Sequence, residues 1–204
     1  MPTDAERIVG LYRRHAGAWA FARAAPSAAP PMEAGWLDRF LALLPRDPTV
    51  LDIGCGSGEP IARYLIGQGC ALTDVDSAPE MIDLGEARLP GQTWHVADMR
   101  SLALGRAFDG IIAWDSFFHL CHDDQRRMFP IFRAHAAPRA ALMFTSGPAH
   151  GVSMGMFEGE PLYHASLNPA EYRALLDASG FAVVAHAVED PSCGWHTIWL
   201  AQRG

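Results

Sequence analysis

The chain has 204 residues, half of them hydrophobic and 19% charged, with a formal net charge of −7. That is the size of one domain with a sizeable core rather than two, and the acidic balance argues against broad, phosphate-driven contact with nucleic acid. All 16 basic residues are arginine, which excludes a P-loop nucleotide hydrolase and a pyridoxal enzyme, since each needs a lysine.

The first elements are helical in pattern. Ala5 to Ala25 reads as a helix, followed by a connector through Pro26, Pro30 and Pro31, then a second helix from Met32 to Leu44. Thr49 to Ile53 is a short buried strand running into glycines, and Ser57 to Gly67 reads as the helix after it, with Pro60 tolerable in its first turn. Cys70 to Val75 is a second strand, Ala78 to Leu89 a helix with Pro79 near its start, and Thr93 to Ala97 a third strand. Phe108 to Asp115 is apolar almost throughout and reads as a central strand. Asp123 to His135 is a helix that Pro130 is expected to kink or shorten, and Ala140 to Ser146 is a fifth strand. Gly147 to Leu167 reads as a long loop. Pro169 to Ser179 is a helix with Asn168 as its N-cap and Gly180 as its stop. Phe181 to Val188 and Trp195 to Ala201, joined by a short turn-rich connector, form an antiparallel hairpin.

Strand–helix alternation implies parallel strands joined by right-handed crossovers. The expected fold is α/β: a Rossmann-like, mostly parallel sheet of seven strands with the antiparallel hairpin at its end and helices on both faces. One domain is expected over residues 1–204, with 1–45 as a helical extension and 46–204 as the core. No apolar run approaches the ~20 residues of a membrane helix, and Met1 to Gly10 lacks a secretory apolar stretch. Cys55, Cys70, Cys121 and Cys193 are scattered, with no zinc or disulfide spacing, and read as reduced thiols of a cytoplasmic protein. Nothing in the sequence sets the oligomeric state.

The most informative stretch is Val50-Leu51-Asp52-Ile53-Gly54-Cys55-Gly56-Ser57-Gly58. Glycines at alternate positions let the backbone turn sharply and let a ligand approach where a Cβ would clash. A nicotinamide-binding turn would want a third glycine or alanine where Glu59 stands, and a carboxylate there would repel a pyrophosphate. The stretch resembles motif I of the class I S-adenosylmethionine-dependent methyltransferases, small-molecule branch. Downstream, Leu72 to Met81 (LTDVDSAPEM), His95 to Met99 (HVADM) and Phe108 to Ser116 (FDGIIAWDS) resemble that family's second, third and fourth strand motifs, in order and with ordinary spacing. Residues from about 45 to 204 are covered.

The resemblance implies S-adenosylmethionine as methyl donor, S-adenosylhomocysteine as product, and a role for each matched position. Asp76 accepts both ribose hydroxyls, with Ser77 and Met81 beside it, while Asp74 reads as solvent-facing or structural. Asp98 accepts from the adenine amino group and Met99 packs on the ring. Asp52 orients the loop or reaches the ammonium through water, and Gly54 and Gly56 pass beside the methionine portion. Trp114 and Asp115 line the floor. Tyr12, His15, Trp19 and Arg23 recur at three- and four-residue steps on one helical face. Tyr12, Trp19 and Arg23 are then lid contacts to the cofactor, against the plainer reading of an amphipathic helix docked on the core.

Methyl transfer from a sulfonium needs mainly alignment; a general base is required where the acceptor arrives protonated. His119, just after the fourth strand, is the candidate for that role. Phe118, Tyr163 and His164 are the candidate acceptor contacts. The histidines show no metal-binding spacing, so no metal is expected. Two other readings compete: a nicotinamide-dependent oxidoreductase and a cofactor-binding protein without catalysis. A nucleic-acid amino-methyltransferase would carry an Asn/Asp-Pro-Pro-aromatic motif where Asp115-Ser116-Phe117-Phe118 stands. The acceptor is therefore expected to be a small molecule.

Overall fold

The computed structural model describes residues 3–24 and 30–204. Ala25 and Pro26, which the expected first helix and connector include, lie outside the described residues. Helix α1 (Asp4–Ala22) is opened by a capping box, in which the Thr3 hydroxyl accepts from the Glu6 N–H and the Glu6 carboxylate accepts from the Thr3 N–H. It departs from helical geometry at His15. Helix α2 (Ala34–Leu41) buries Trp36, Leu37 and Phe40.

From there strands and helices alternate: β1 (Thr49–Ile53), α3 (Ile61–Gly67), β2 (Ala71–Asp76), α4 (Pro79–Arg88), β3 (Thr93–Val96), β4 (Phe108–Ala113), α5 (His122–His135) and β5 (Ala136–Ser146). Then come β6 (Gly151–Phe157), β7 (Glu160–Ser166), α6 (Pro169–Ala178), β8 (Phe181–Asp190) and β9 (His196–Arg203). Seven strands form one sheet in the order β3-β2-β1-β4-β5-β9-β8. The pairs from β3 to β5 are parallel, and β9 runs antiparallel to both β5 and β8. The expected Rossmann-like sheet with its antiparallel end is what forms.

Because side chains alternate along a buried strand, β1 sends Leu51 and Ile53 to one face and Val50 to the other. The first face packs Phe117, Phe129, Phe132, Phe144, Tyr172 and Trp199 with α5 and α6; the second packs Trp36, Phe40 and Leu65 with α2 and α3.

Four local expectations are corrected. The helix after the glycine loop begins at Ile61, because residues 57–60 complete the turn. Pro130 does not shorten α5: it sits on the exposed side, while buried Gln125, Met128, Phe129 and Phe132 hold the helix to the sheet. Gly147 to Leu167 is not an irregular loop; most of it is the hairpin β6–β7, a separate two-stranded sheet. Asp74 is not solvent-facing. It is fully buried in register with Asp52, and neither of its carboxylate oxygens has a hydrogen-bond partner.

Candidate functional site

Parallel pairing brings the C-terminal ends of β1, β2 and β4 to one edge of the sheet, where such folds bind ligands. Gly54 leaves β1 with φ +76°, and a Cβ there would stand 2.2 Å from the Cβ of Ser116. Ser116 is fixed, since its hydroxyl donates to the Ile53 carbonyl at 2.7 Å. Gly56 also has positive φ, and its missing Cβ leaves room for Trp19 Nε1. The loop therefore presses β1 against the end of β4 and against α1 in places where any side chain would intrude.

Asp76 ends β2. Its Oδ2 accepts from the Gly56 N–H at 3.0 Å and its Oδ1 from the Ala78 N–H at 2.8 Å. Burial raises its pKa, and these N–H donors oppose the rise. A carboxylate is thus held at the mouth of the glycine loop, with a second lone pair on each oxygen left for a ligand.

A cleft of about 920 Å³, open mouth included, runs along this edge. Of the residues expected to hold the cofactor, Gly54, Gly56, Asp76, Ser77 and Met81 line it, as do Asp98, Met99 and Asp115. Tyr12 and Trp19 of α1 also line the cleft, as does the buried His119. Asp98 is at the edge, gripped by the Arg100 guanidinium, which keeps its carboxyl below the ordinary range.

Other expected residues stand elsewhere. Arg23 reaches Glu33 at 2.7 Å and does not line the cleft. Asp52 is buried in register with Asp74 and does not line the cleft. Burial raises the pKa of both acids; repulsion from Asp76 adds to it at Asp52, and repulsion from Asp52 adds to it at Asp74. Trp114 is turned by strand alternation into the second core face, where its ring packs on His196 at 5.4 Å. Tyr163 contributes its backbone carbonyl, to which His119 Nδ1 donates at 2.7 Å.

Phe118 and His164 line a second cleft, which shares Tyr12, Trp19, Asp115 and His119 with the first. The two spaces therefore meet at Tyr12 and His119, whose side chains bond at 2.8 Å. Three residues in the left-handed region, Asp115, Glu189 and Trp195, line this second cleft, and such strain concentrates at functional sites.

Sequence reading missed His196. Its Nε2 lies 2.9 Å from the Asp115 carboxylate and its Nδ1 2.7 Å from the Cys193 carbonyl. Both neighbours accept, so the ring must carry both protons, and Asp115 is held by an imidazolium. Burial lowers the pKa of His196, but these bonds outweigh it and the pKa is raised. No motif signals this pair, because 81 residues separate its members. Glu160 was also missed. It binds Arg14 at 2.5 Å and His15 at 2.7 Å, tying α1 to β7 beside the bend at His15. No group of three metal-ligating side chains occurs among the described residues.

Residues 50–139 match the family model described as a methyltransferase domain. The chain is 35% identical over 119 residues to magnesium-protoporphyrin O-methyltransferase of Rhodobacter capsulatus, a match covering 53% of this chain and 50% of that one. It is 27% identical over 97 residues to dTDP-4-amino-2,3,4,6-tetradeoxy-D-glucose N,N-dimethyltransferase of Saccharopolyspora spinosa, covering 47% and 39%. The chain thus spans about half or less of the length of these curated relatives. Among solved structures, the DhpI–SAH complex superposes with a TM-score of 0.72 at 19% identity, covering 98% of this chain and 97% of that one. That likeness shows a shared fold.

Proposed function

From a chain that carries a class I S-adenosylmethionine-dependent methyltransferase domain, we propose that the whole protein transfers the methyl group of S-adenosylmethionine to a small-molecule acceptor by direct displacement. The observation that carries the reading is Asp76, a carboxylate fixed by two backbone N–H groups at the mouth of a glycine loop that admits no Cβ at Gly54. The residues fit this donor: Asp76 for the ribose hydroxyls, Met99 and Asp98 for the adenine, Gly54 and Gly56 for the methionine portion. The donor supplies a methyl group on a good leaving group. The chain supplies alignment, the factor that dominates such a displacement. Within the N-terminal extension, helix α1 acts as the lid, with Tyr12 and Trp19 over the cofactor and Arg23 anchoring its end to Glu33 beside the core-packed α2. His119 sits where donor and acceptor spaces meet. The acceptor occupies the second cleft, against Phe118 and His164.

A small acceptor rather than nucleic acid fits the net charge of −7. The chain works as one domain, in the cytoplasm, where its four free cysteines stay reduced. No helix among the described residues is long and apolar enough to cross a membrane.

The test is calorimetric titration of S-adenosylmethionine and S-adenosylhomocysteine into the wild type and Asp76→Ala. Binding that weakens by ~10-fold or more in the variant is expected from the loss of charged hydrogen bonds. Absence of binding by a folded, cofactor-free wild type refutes the reading. A turnover screen over ring-bearing alcohols and amines follows, and binding without any turnover would leave a cofactor-binding protein without catalysis.

A further inference from the structure

Hydrogen-bond accounting separates the two histidines where the clefts meet. His119 is buried and both of its ring nitrogens are committed. The Tyr163 carbonyl only accepts, so Nδ1 carries the hydrogen. Nε2 then keeps its lone pair, and the Tyr12 hydroxyl donates to it. Burial agrees with this neutral state, pushing the pKa of His119 down to about 4. A histidine in this arrangement has no lone pair to offer an acceptor while Tyr12 is in place.

His164 differs. Its ring lies 4.9 Å from that of His119 and 5.0 Å from that of Phe118. It is half-buried, lines the second cleft and its continuation toward His150, and has no hydrogen-bond partner on either nitrogen among the described residues. Around it stand His119 and Asp115 from the end of β4, Tyr12 from α1, His150 after β5, and Glu189 and His196 from the β8–β9 end. Burial lowers its pKa, and Asp115 opposes the effect. A neutral ring with an open lone pair therefore faces the cleft.

We propose that His164 takes the proton from an acceptor whose nucleophilic atom arrives protonated, a hydroxyl or ammonium on a small molecule, while His119 is a positioning residue that holds Tyr12. This rests on the methyl-transfer reading. In the step, the acceptor's O–H or N–H proton passes to a His164 nitrogen, and the freed lone pair forms the bond to the methyl carbon. The carbon–sulfur bond breaks and its electron pair returns to sulfur, giving S-adenosylhomocysteine. The His164 imidazolium then loses its proton to water at the open mouth of the cleft.

The experiment is diethylpyrocarbonate labelling of the full chain at pH 7, mapped by mass spectrometry. His164 should label at least ~10-fold faster than His119, since the reagent needs a free neutral nitrogen. Tyr12→Phe should raise labelling of His119. Equal or reversed rates in the wild type overturn the proposal. With an acceptor found by the turnover screen, His164→Gln should lower kcat by ~10²–10⁴-fold and abolish the acid limb of its pH profile. A variant that keeps both overturns it as well. Calorimetry with S-adenosylhomocysteine on the same samples keeps the two failures apart. Loss of binding by the wild type refutes methyl transfer, whereas the labelling rates judge the histidines independently.

Discussion

Gly54 and Gly56 make unequal demands, and replacing each by alanine measures the difference. Both have positive φ, at +76° and +56°, so each alanine incurs roughly 1–2 kcal/mol of left-handed backbone strain. At Gly56 the new Cβ meets Trp19 Nε1 at 3.2 Å, the tip of a side chain on a helix that can shift by a few tenths of an ångström. At Gly54 it would stand 2.2 Å from Ser116 Cβ and 2.7 Å from its hydroxyl, and neither can retreat without moving the end of β4. Overpacking costs about 1–3 kcal/mol. Loss of the Ser116 bond to the buried Ile53 carbonyl adds about 1–3 more. Gly56→Ala should therefore lose about 1–2 kcal/mol and Gly54→Ala about 3–8. For a chain of this size, each kcal/mol is roughly 2–4 °C in Tm. Differential scanning calorimetry at pH 7 measures both. Equal Tm losses for the two variants would refute the claim that the loop is locked against β4 at Gly54.

Two further predictions concern buried charge. Asp74 has no donor to either oxygen, and its pKa is raised, so it loses stability as pH climbs above its unfolded value near 3.8 toward its folded one. Asp74→Asn should raise Tm at pH 8 and change it little at pH 4; a loss of Tm at pH 8 would show that the acid has a partner in solution. His196 shares that pH slope for a different reason, because its charged form is the paired one: its folded pKa lies above 6.5, so its bond to Asp115 stabilises fully below that pH and fades as pH rises through the folded value. His196→Asn should lower Tm most at pH 6 and least at pH 9, and a uniform loss across that range would exclude an imidazolium.

The sequence by itself determined the sheet, because its cues are local. The short, mostly apolar segments Thr49–Ile53 and Phe108–Ala113, bounded by turn residues, read as buried strands, and Pro79 and Asn168 mark helix starts through their own backbone chemistry. Gly54, Gly56 and Asp76 were legible for the same reason, since the turn, the strand end and the helix start lie within 23 residues. What lay beyond reach was decided by packing. The β6–β7 hairpin carries Ser, Met, Gly and His in place of clean alternation, and it is held by α1 and the turn after β4 rather than by its own propensity. Trp114 and Asp115 are neighbours in the chain, yet a positive φ at Asp115 follows a strand that sends Trp114 into the core, so the two face different surroundings. Which histidine has a free nitrogen is likewise a tertiary matter. Tyr12 and the Tyr163 carbonyl, 107 and 44 residues away from His119, occupy its ring, and the same fold leaves the ring of His164 open.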